Sequence, residues 1–512
     1  MKKIFGIILM LFAVVSMAGN SSAWEGRMAG MGNPKGLIGD ESDFLIHPAK
    51  IVSGEGVKYY LDYQFTYTDL IHWDSRLDWF GSGRHDFYHN NATSAQEYDH
   101  NSLMGASFPL SKGRMGIFFS YENKMGDFDG DSSYFRISHG KPCEFDTDSD
   151  LDNYALRLIY GLPVRNFDLG LELGFVYRNE EQQEWYQEKD YVNGIKNNMW
   201  IWQWLDGGFF PLMIPYDSSY WELFGKAGIG KKLNGLDIDW SVRGGYILSS
   251  DSENQYEMKW EEPIGVLDYH VKQKGDVRGY RVGSDLWVRR QVNDELTLPF
   301  LVSVEYAKKD RDGNAFGTAY YDSSNFYQCE HIVRTLEIKA GGGVERAVKG
   351  CGRVGVGLYY NYLQSKDDFW LDTANGYVYD NTKYPYHQEH RLVLNLAGEQ
   401  EVAPDFMVRG GVDFFYGWVV SDDYKGEMSY MNDVASLSLD GKNWGVGGSL
   451  GASKKFSCVT FEPYLKAGYR EFDVDGDGIW RLFGQAGDSP STLEKEKAEW
   501  FLGAGFSLLF GK

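Results

Sequence analysis

The chain has 512 residues, a formal net charge of −22 and 16% aromatic residues, and its mean hydropathy is −0.42. The acidic balance excludes the basic stripe that a nucleic-acid-binding protein needs. Four cysteines without a C-x-x-C pair exclude a c-type haem site and a small disulfide-framework fold.

The first 23 residues have the layout of a secretory signal peptide. Lys2 and Lys3 precede an apolar run from Ile4 to Met17, and a stretch of small residues ends at Ala23. After Ala23 no stretch approaches the roughly 18 apolar residues of a transmembrane helix. A membrane location would therefore require a closed β-barrel, because only helices and closed barrels satisfy their backbone polar groups in lipid.

The segment 24–55 precedes the first predicted strand and contains glycine-rich and acidic motifs. It includes Gly30-Met31-Gly32-Asn33-Pro34, the acidic pair Asp40-Glu41, and His47-Pro48-Ala49. These motifs resemble the start of the long-chain fatty-acid transporter superfamily, although His47 stands where that family has asparagine. The resemblance implies a plug-like segment that enters the barrel as a hatch, in a protein that passes hydrophobic compounds. The alternative is a periplasmic tail packed beneath the barrel.

Strict alternation of apolar and polar residues begins at Val57 and recurs in separate stretches up to Phe510, as expected of strands with one face in lipid and one in water. Short turns join these stretches into hairpins. The predicted strands are 57–67, 104–110, 115–121, 154–162, 169–177, 223–229, 236–248, 280–288, 296–306, 336–344, 354–362, 392–396, 406–418, 444–452, 459–469 and 500–510.

This pattern predicts an all-β fold over residues 56–512: a transmembrane antiparallel β-barrel of about sixteen strands, with long extracellular loops and short periplasmic turns. Its final strand resembles the closing strand of Gram-negative outer-membrane porins and transporters. The count exceeds the fourteen strands typical of the fatty-acid transporters. A soluble β-sandwich or propeller is the alternative. The Tyr and Trp residues at strand ends and the alternation of short and long connections favour the membrane barrel.

If the apolar phase of each strand faces lipid, the other phase lines the lumen. That phase carries charges of both signs, which are costly in a dry interior unless paired. A barrel of this width can hold a water-filled channel instead. The predicted pore-lining residues are Arg157, Glu172, Asp239, Arg243, Arg281, Asp285, Arg289, Glu305, Glu337, Lys339, Arg391, Arg409 and Asp413. The alternative is an ion-pair ladder that stiffens the wall.

The third predicted loop, 178–218, is the longest and is rich in large apolar side chains. They are Trp200, Trp202, Trp204, Phe209 and Phe210. An exposed apolar cluster of this size usually has a partner. We predict that it folds into the barrel as a constriction, as the third loop does in the general porins that this architecture resembles. Docking on the outer leaflet or on another protein are the alternatives.

One acidic motif suggests a metal site. Asp473, Asp475 and Asp477, followed by Gly478, match the start of an EF-hand calcium loop. Alternate carboxylates before a glycine turn can surround a hard cation. Gly484 stands where the bidentate glutamate is expected, so the alternative is a solvated acidic turn. Structural calcium is the one cofactor that the sequence suggests.

The sequence contains neither G-x-S-x-G nor H-E-x-x-H, and we predict no enzymatic activity. We expect a multi-pass protein of the cell outer membrane, in contact with outer-membrane lipid and lipopolysaccharide, that passes small solutes passively through a charged lumen. One alternative is a scaffold or sheath that holds a periplasmic or surface protein, such as a multihaem cytochrome, across the outer membrane. Another is a plugged transporter of hydrophobic compounds. Wide porins are often homo-oligomers, which adds an expectation by analogy.

Overall fold

The computed structural model describes residues 26–29, 31, 38, 41–81, 84–135, 141–188, 218–248, 251–262, 265–319, 322–348, 352–373, 378–380, 386–428, 433–481 and 489–511. The predicted signal peptide, 1–23, lies outside these residues. Within the described part of the chain, no helix is both long and apolar enough to cross a membrane.

Strands make up nearly all of the described structure. They are β1 (Lys58–Gly81), β2 (Arg84–Leu110), β3 (Gly113–Phe135), β4 (Lys141–Val164), β5 (Phe167–Glu188), β6 (Ser218–Leu233), β7 (Leu236–Leu248), β8 (Asp251–Glu262), β9 (Gly265–Gln291), β10 (Leu296–Ala319), β11 (Asp322–Val348), β12 (Gly352–Thr373), β13 (Val378–Asp380), β14 (Tyr386–Ala403), β15 (Phe406–Met428), β16 (Asp433–Phe456), β17 (Val459–Arg481) and β18 (Ser489–Gly511). Before them lie α1 (Gly26–Ala29) and the 3-10 helices η1 (Glu41–Leu45) and η2 (Pro48–Ser53).

The strands form one closed antiparallel ring. Apart from the places where β8 and β13 intervene, each strand pairs with its chain neighbours, and β1 closes the ring by pairing with β18, with Lys58 opposite Gly511. β8 pairs with the first half of β9, from Gly265 to Asp276. β13 is a three-residue segment that pairs with β12 and β15. The pairings β7 with β9 and β12 with β14 continue the ring past these two segments. The ring therefore has sixteen strands, which confirms the predicted fold class and strand count.

The strands reverse direction tightly at one end of the barrel. Ser111, Arg165, Asp405 and Ser457 adopt positive φ angles of 56°, 48°, 59° and 54° in these short turns. A left-handed backbone at the turn matches the twist of the flanking strands and lets the chain reverse within two residues. The same end holds the start of β1 and the end of β18, so it is the periplasmic end predicted from the short turns.

Most strands continue well beyond the membrane. A membrane crossing takes about 9–11 residues of tilted strand, whereas β2 and β11 each have 27 residues. Much of the sequence between the predicted strands, such as 68–101 and 308–331, therefore continues the paired wall of the barrel. Outside lipid both faces of a strand meet water, so the apolar alternation that marks a strand in the sequence is lost there.

The outer face of the barrel carries an apolar belt. On β5, Leu171 and Leu173 are 58% and 64% exposed, whereas Glu172 between them is 3% exposed and points into the lumen. Aromatic rings meet at the extracellular edge of the belt, where the Trp221 ring lies 4.5 Å from the rings of both Phe175 and Tyr177. Such a girdle is typical of a barrel at a membrane interface. The chain is therefore a multi-pass outer-membrane β-barrel, as predicted.

Replacing Leu171 with arginine tests the position of this belt. The new charge would lie near the middle of the apolar band, and we expect a loss of about 2–4 kcal/mol in the free energy of folding into lipid vesicles. Equilibrium folding in urea measures this loss. Leu171→Ala is the control, since it removes lipid contact without adding charge. Equal losses in the two variants would contradict the assignment of this face to lipid.

Candidate functional site: a segment docked inside the lumen

The described residues between 26 and 54, here called the plug segment, lie inside the barrel against its inward-facing side chains. Phe44 packs on Phe118 and Tyr60, with ring centroids 5.2 and 5.8 Å apart. Ile51 belongs to the same apolar cluster, together with Ile159 of β4. Burying a large apolar side chain contributes about 1.5–3 kcal/mol. This cluster therefore stabilises the docked position on the β1 to β4 side.

A second apolar cluster holds the earlier part of the plug segment. Met28, Met31 and Ile38 are buried against Trp287 and Tyr359, together with Leu301 and Ala397. These wall residues come from β9, β10, β12 and β14, which lie on the other side of the ring from the first cluster. The plug segment thus contacts two well-separated sectors of the wall.

Local sequence shapes the part of the plug segment that lies deepest against the wall. His47 is extended, with φ of −119° and ψ of 100°, as a residue before proline tends to be. Pro48 then begins η2, where its fixed φ suits a helix start and its missing N–H costs nothing. After Gly54 the chain reaches β1 through Gly56, whose φ is +61° and whose carbonyl oxygen accepts a 2.7 Å hydrogen bond from Arg114.

The wall beneath η2 carries glycines where side chains would collide with the plug segment. A Cβ on Gly170 would lie 2.1 Å from the backbone nitrogen of Ala49, and one on Gly161 would lie 2.5 Å from Cγ2 of Ile51. Real Cβ atoms essentially never approach that closely. We call Gly161 and Gly170 the glycine seat. Their lack of a side chain is what lets η2 lie directly on the backbone of β4 and β5.

Two ion-pair anchors join the plug segment to the wall. Nζ of Lys50 lies 2.6 Å from Asp239 and 3.4 Å from Asp237 on β7. Burial lowers the pKa of Lys50, but Asp239, Asp237 and Asp43 outweigh burial, and the pKa is raised. Lys50 is therefore charged at neutral pH. Arg27 forms the other anchor through a bidentate contact with Glu399 of β14, at 2.5 and 3.0 Å.

His47 is the least typical residue of the site. It is 1% exposed, its ring contacts Trp287 edge to face at 4.6 Å, and neither ring nitrogen has a hydrogen-bond partner in the described structure. Burial lowers its pKa to about 3, and Lys226, Lys50 and Arg243 reinforce the shift, whereas Asp285 opposes it. His47 is therefore neutral in the docked state.

The Arg27 anchor belongs to a larger set of charges near the periplasmic end, here called the arginine network. Arg409 donates to Glu399 at 3.2 Å and lies 2.9 Å from Glu462. Arg353 lies 3.3 Å from Glu345 and 4.0 Å from Glu399. Arg289 also pairs with Glu345. The network thus links β9, β11, β12, β14, β15 and β17 to the plug segment.

The structure places the pore-lining residues predicted from the sequence on the inward phase, and it pairs many of them. Arg243 pairs with Asp285 and Glu305, Arg281 with Glu222 at 2.5 Å, Arg391 with Glu389 at 2.5 Å, and Arg157 with Glu172 at 3.8 Å. Lys339 lies 5.1 Å from the ring of Tyr359. Glu337 and Asp413 share this inward phase. The charged residues that line the lumen therefore also form ion pairs along the wall.

Several important residues were not among the predicted site residues. Glu345, Glu389 and Glu399 lie on the polar phase of their strands, so the alternation that identified the other wall charges would also have found them. Arg27 and Lys50 lie in the plug segment, where no periodicity marks a wall contact. Lys226, which is 3.1 Å from Asp285, lies within the small and apolar stretch 223–230 of β6.

The predicted constriction and calcium residues have different outcomes. Trp200, Trp202, Trp204, Phe209 and Phe210 lie outside the described residues. Asp473, Asp475 and Asp477 lie on β17 and pair with both β16 and β18, so the backbone is extended there and forms no EF-hand loop. Alternate residues of a strand are about 6.6 Å apart along the chain, and no group of three metal-binding side chains occurs in the described part. The described backbone therefore does not form the wrapped loop of an EF-hand, and calcium binding stays a prediction.

Solved structures similar to this chain include transporters and channels. The Pseudomonas aeruginosa FadL homologue is 11% identical, with 96% of this chain and 98% of that chain covered and a TM-score of 0.41. The P. putida toluene transporter TodX is 9% identical, with 94% and 98% covered and a TM-score of 0.38. The CymD monoaromatic hydrocarbon channel is 9% identical, with 96% and 98% covered and a TM-score of 0.37.

No family model and no curated protein matches the chain. At the identities and TM-scores of the solved structures, the similarities identify neither a solute nor a mechanism for this chain.

Replacing Gly170 with alanine tests the glycine seat. The added Cβ would collide with the backbone of Ala49, and we expect docking to weaken by about 1–3 kcal/mol, as in overpacked cores. Trypsin should then cleave after Lys50 at least about five times faster than in the wild type, because cleavage follows the undocked population. Gly448→Ala is the matched control, since its Cβ meets nothing within 4 Å. Unchanged cleavage in Gly170→Ala would contradict the docked position.

His47 makes docking dependent on pH. In the undocked state the pKa of His47 should return to its ordinary value of 6.5. Below pH 6.5 the undocked state therefore binds a proton on His47, whereas the docked state does not bind it until about pH 3. Docking therefore weakens as pH falls through this window, by up to about 1.4 kcal/mol per pH unit. We expect protection of residues 41–54 from hydrogen exchange to fall about tenfold between pH 5.5 and 4.5, relative to His47→Phe at each pH. Parallel pH profiles for the two proteins would exclude His47 as the cause.

Proposed function

We propose that the protein is a gated channel that passes small polar solutes across the outer membrane, with the plug segment as its gate. The observation that carries the proposal is the docking of this segment inside a sixteen-stranded, charged lumen. A barrel of this size is wide enough for a water-filled passage. Because the plug segment occupies part of the passage, its position would control whether a solute can pass.

The lining of the lumen supports a polar solute. Inward-facing carboxylates and guanidinium groups alternate around the wall, as at Glu172, Asp285 and Arg391. Hydrated charges of both signs favour polar solutes and select among them by electrostatics. A purely hydrophobic solute would have to cross this charged wall without compensating contacts.

The contacts of the plug segment support a gate that can be released. It is held by apolar packing and by the anchors at Asp239 and Glu399. Both anchors are close in sequence to periplasmic turns, near Gly235 and Asp405 respectively. The segment therefore lies toward the periplasmic mouth, and it can leave its seat without disturbing the strands that cross the membrane.

Passage of hydrophobic compounds is the second candidate. It is favoured by the apolar wall patch of Trp287, Leu301 and Tyr359 beside the plug segment, and by the N-terminal resemblance to fatty-acid transporters. The sheath for a cytochrome is less favoured, because the plug segment already occupies part of the lumen that a partner would need.

A reversible crosslink between plug and wall tests the gate. A Cβ on Gly230 would lie 3.7 Å from Cβ of Ala49, which is within the usual range for a disulfide, about 3.5–4.5 Å. We expect the Ala49→Cys/Gly230→Cys protein, with its four natural cysteines changed to serine, to be silent in a planar bilayer when oxidised. Reduction should restore stable single-channel steps, because the plug segment is then free to leave its seat.

The single variants Ala49→Cys and Gly230→Cys are the controls, and their conductance should not respond to oxidation. Equal conductance in the oxidised and reduced double variant would disprove gating by the plug segment. Silence in both forms, together with uptake of a hydrophobic dye by liposomes that contain the protein, would instead support the second candidate.

A further inference from the structure

We infer that a row of cations on the outer surface of the barrel binds the phosphate groups of a lipid in the outer leaflet. The row lies just beyond the aromatic girdle, on four neighbouring strands at the extracellular edge of the apolar belt. Its members, here called the cationic collar, are Arg278 on β9, Lys308 on β10, Arg334 on β11 and Lys366 on β12.

The strand register places the collar on the lipid-facing side of the wall. On each of the four strands, a lipid-exposed valine or leucine lies an even number of residues from the cation, and the pairing shows no register shift between the two. Because successive side chains of a strand point to opposite faces, all four cations point outward. The reference residues are Val282, Val304, Val344 and Leu358.

The collar lies at the level of lipid headgroups. Tyr280 and Tyr306 belong to the girdle, with ring centroids 6.2 Å apart, and the next outward residues on their extracellular side are Arg278 and Lys308. Such residues follow one another at about 6.6 Å along a strand. Long basic side chains at this level can lay their stems on apolar surface and hold their charges among the headgroups.

The cations are also close to one another across the strands. Arg334 lies directly opposite Lys308 on one side and directly opposite Lys366 on the other. Directly opposite side chains have Cβ atoms about 4.5–5.5 Å apart, and like charges in such pairs destabilise a sheet. An anion that contacts both members of a pair would offset this repulsion. Phosphate suits that role, because it offers several acceptor oxygens to guanidinium and ammonium groups.

One carboxylate belongs to the same surface. Asp310 lies opposite Arg278, and its carboxylate is 3.3 Å from Nζ of Lys308. Ion pairs near a protein surface are weak. Pairing with Asp310 therefore leaves these cations able to contact a lipid phosphate as well.

The collar is a feature of one sector of the barrel. On β3, β4 and β5 the next outward residues beyond the tyrosines of the girdle are Asn123, Asp152 and Asn179. The barrel thus presents cations to the lipid in one sector and neutral or acidic residues in another. A basic cluster at a membrane surface is typical of contact with anionic lipid headgroups. A phosphorylated lipid fits this sector because its acyl chains can lie on the apolar belt while its phosphates reach the collar.

The test measures lipid binding to the full-length folded protein in detergent micelles. Native mass spectrometry gives apparent Kd values for diphosphorylated lipid A and for the same lipid after enzymatic removal of its phosphates. We expect the phosphorylated lipid to bind at least about tenfold more tightly, and we expect this advantage to shrink as the ammonium acetate concentration is raised. Equal Kd values for the two lipids would overturn the inference.

Three variants separate the collar from general electrostatics. Arg278→Gln/Lys308→Gln/Arg334→Gln should weaken binding of the phosphorylated lipid about a hundredfold, at about fivefold for each cation. Lys231→Gln/Arg290→Gln/Arg346→Gln is the matched control, since it removes the same charge from exposed residues at the periplasmic end, and it should bind like the wild type. Arg278→Lys/Lys308→Arg/Arg334→Lys keeps the charge and should keep most of the affinity.

Heat-dependent electrophoretic mobility confirms that each variant is folded before its Kd is compared. Undiminished binding in the first variant, or an equal loss in the periplasmic control, would overturn the inference. An equal loss in the charge-keeping variant would show that packing rather than charge holds the lipid, and would overturn it too. None of these measurements involves the plug segment, so failure of the gate proposal would leave them unchanged.

Discussion

Every backbone N–H and C=O group within lipid must have a partner from the protein, and this constraint determines the rest of the structure. The strands meet it by closing the ring, with β1 paired to β18 along nearly its whole length. Closure divides each strand into a lipid phase and a lumen phase, since successive side chains point to opposite sides. The charged residues that cannot face lipid are therefore collected inside, where water and mutual pairing stabilise them.

The docking of the plug segment follows from how that inner wall is built. At η2 the wall has no side chains at Gly161 and Gly170, and helix and strand backbones meet directly. At Asp239 and Glu399 the wall instead supplies charge to Lys50 and Arg27. Neutral His47 lies between these anchors, among Lys226, Lys50 and Arg243. Close packing at the glycine seat and the ion pairs of Arg27 and Lys50 hold the plug segment in place. Protonation of His47 opposes its docking.

The strand number and the inward phase were predictable because lipid on one side of a strand imposes a period of two. Beyond the membrane that signal disappears, which is why the first predicted strand ends at residue 67, although most of 68–101 pairs as β1 and β2. The calcium motif is ambiguous for a related reason: the alternation in Asp473, Asp475 and Asp477 is also that of a strand, and calcium binding stays a prediction. The anchor between Arg27 and Glu399 joins residues 372 positions apart, and no local pattern reports such a contact.

The short link through Gly56 has a consequence for assembly and for motion. Only residues 54–57 separate η2 from β1, and β1 is one of the two strands that seal the ring. The plug segment must therefore already be at the periplasmic mouth when β1 pairs with β18 and closes the barrel. After closure, the four residues 54–57 connect the plug segment to β1. This linker can span at most about 14 Å, since an extended residue spans about 3.3–3.6 Å. The linker limits the plug segment to rotation about the start of β1. The segment therefore stays attached to the barrel each time it leaves its docked position.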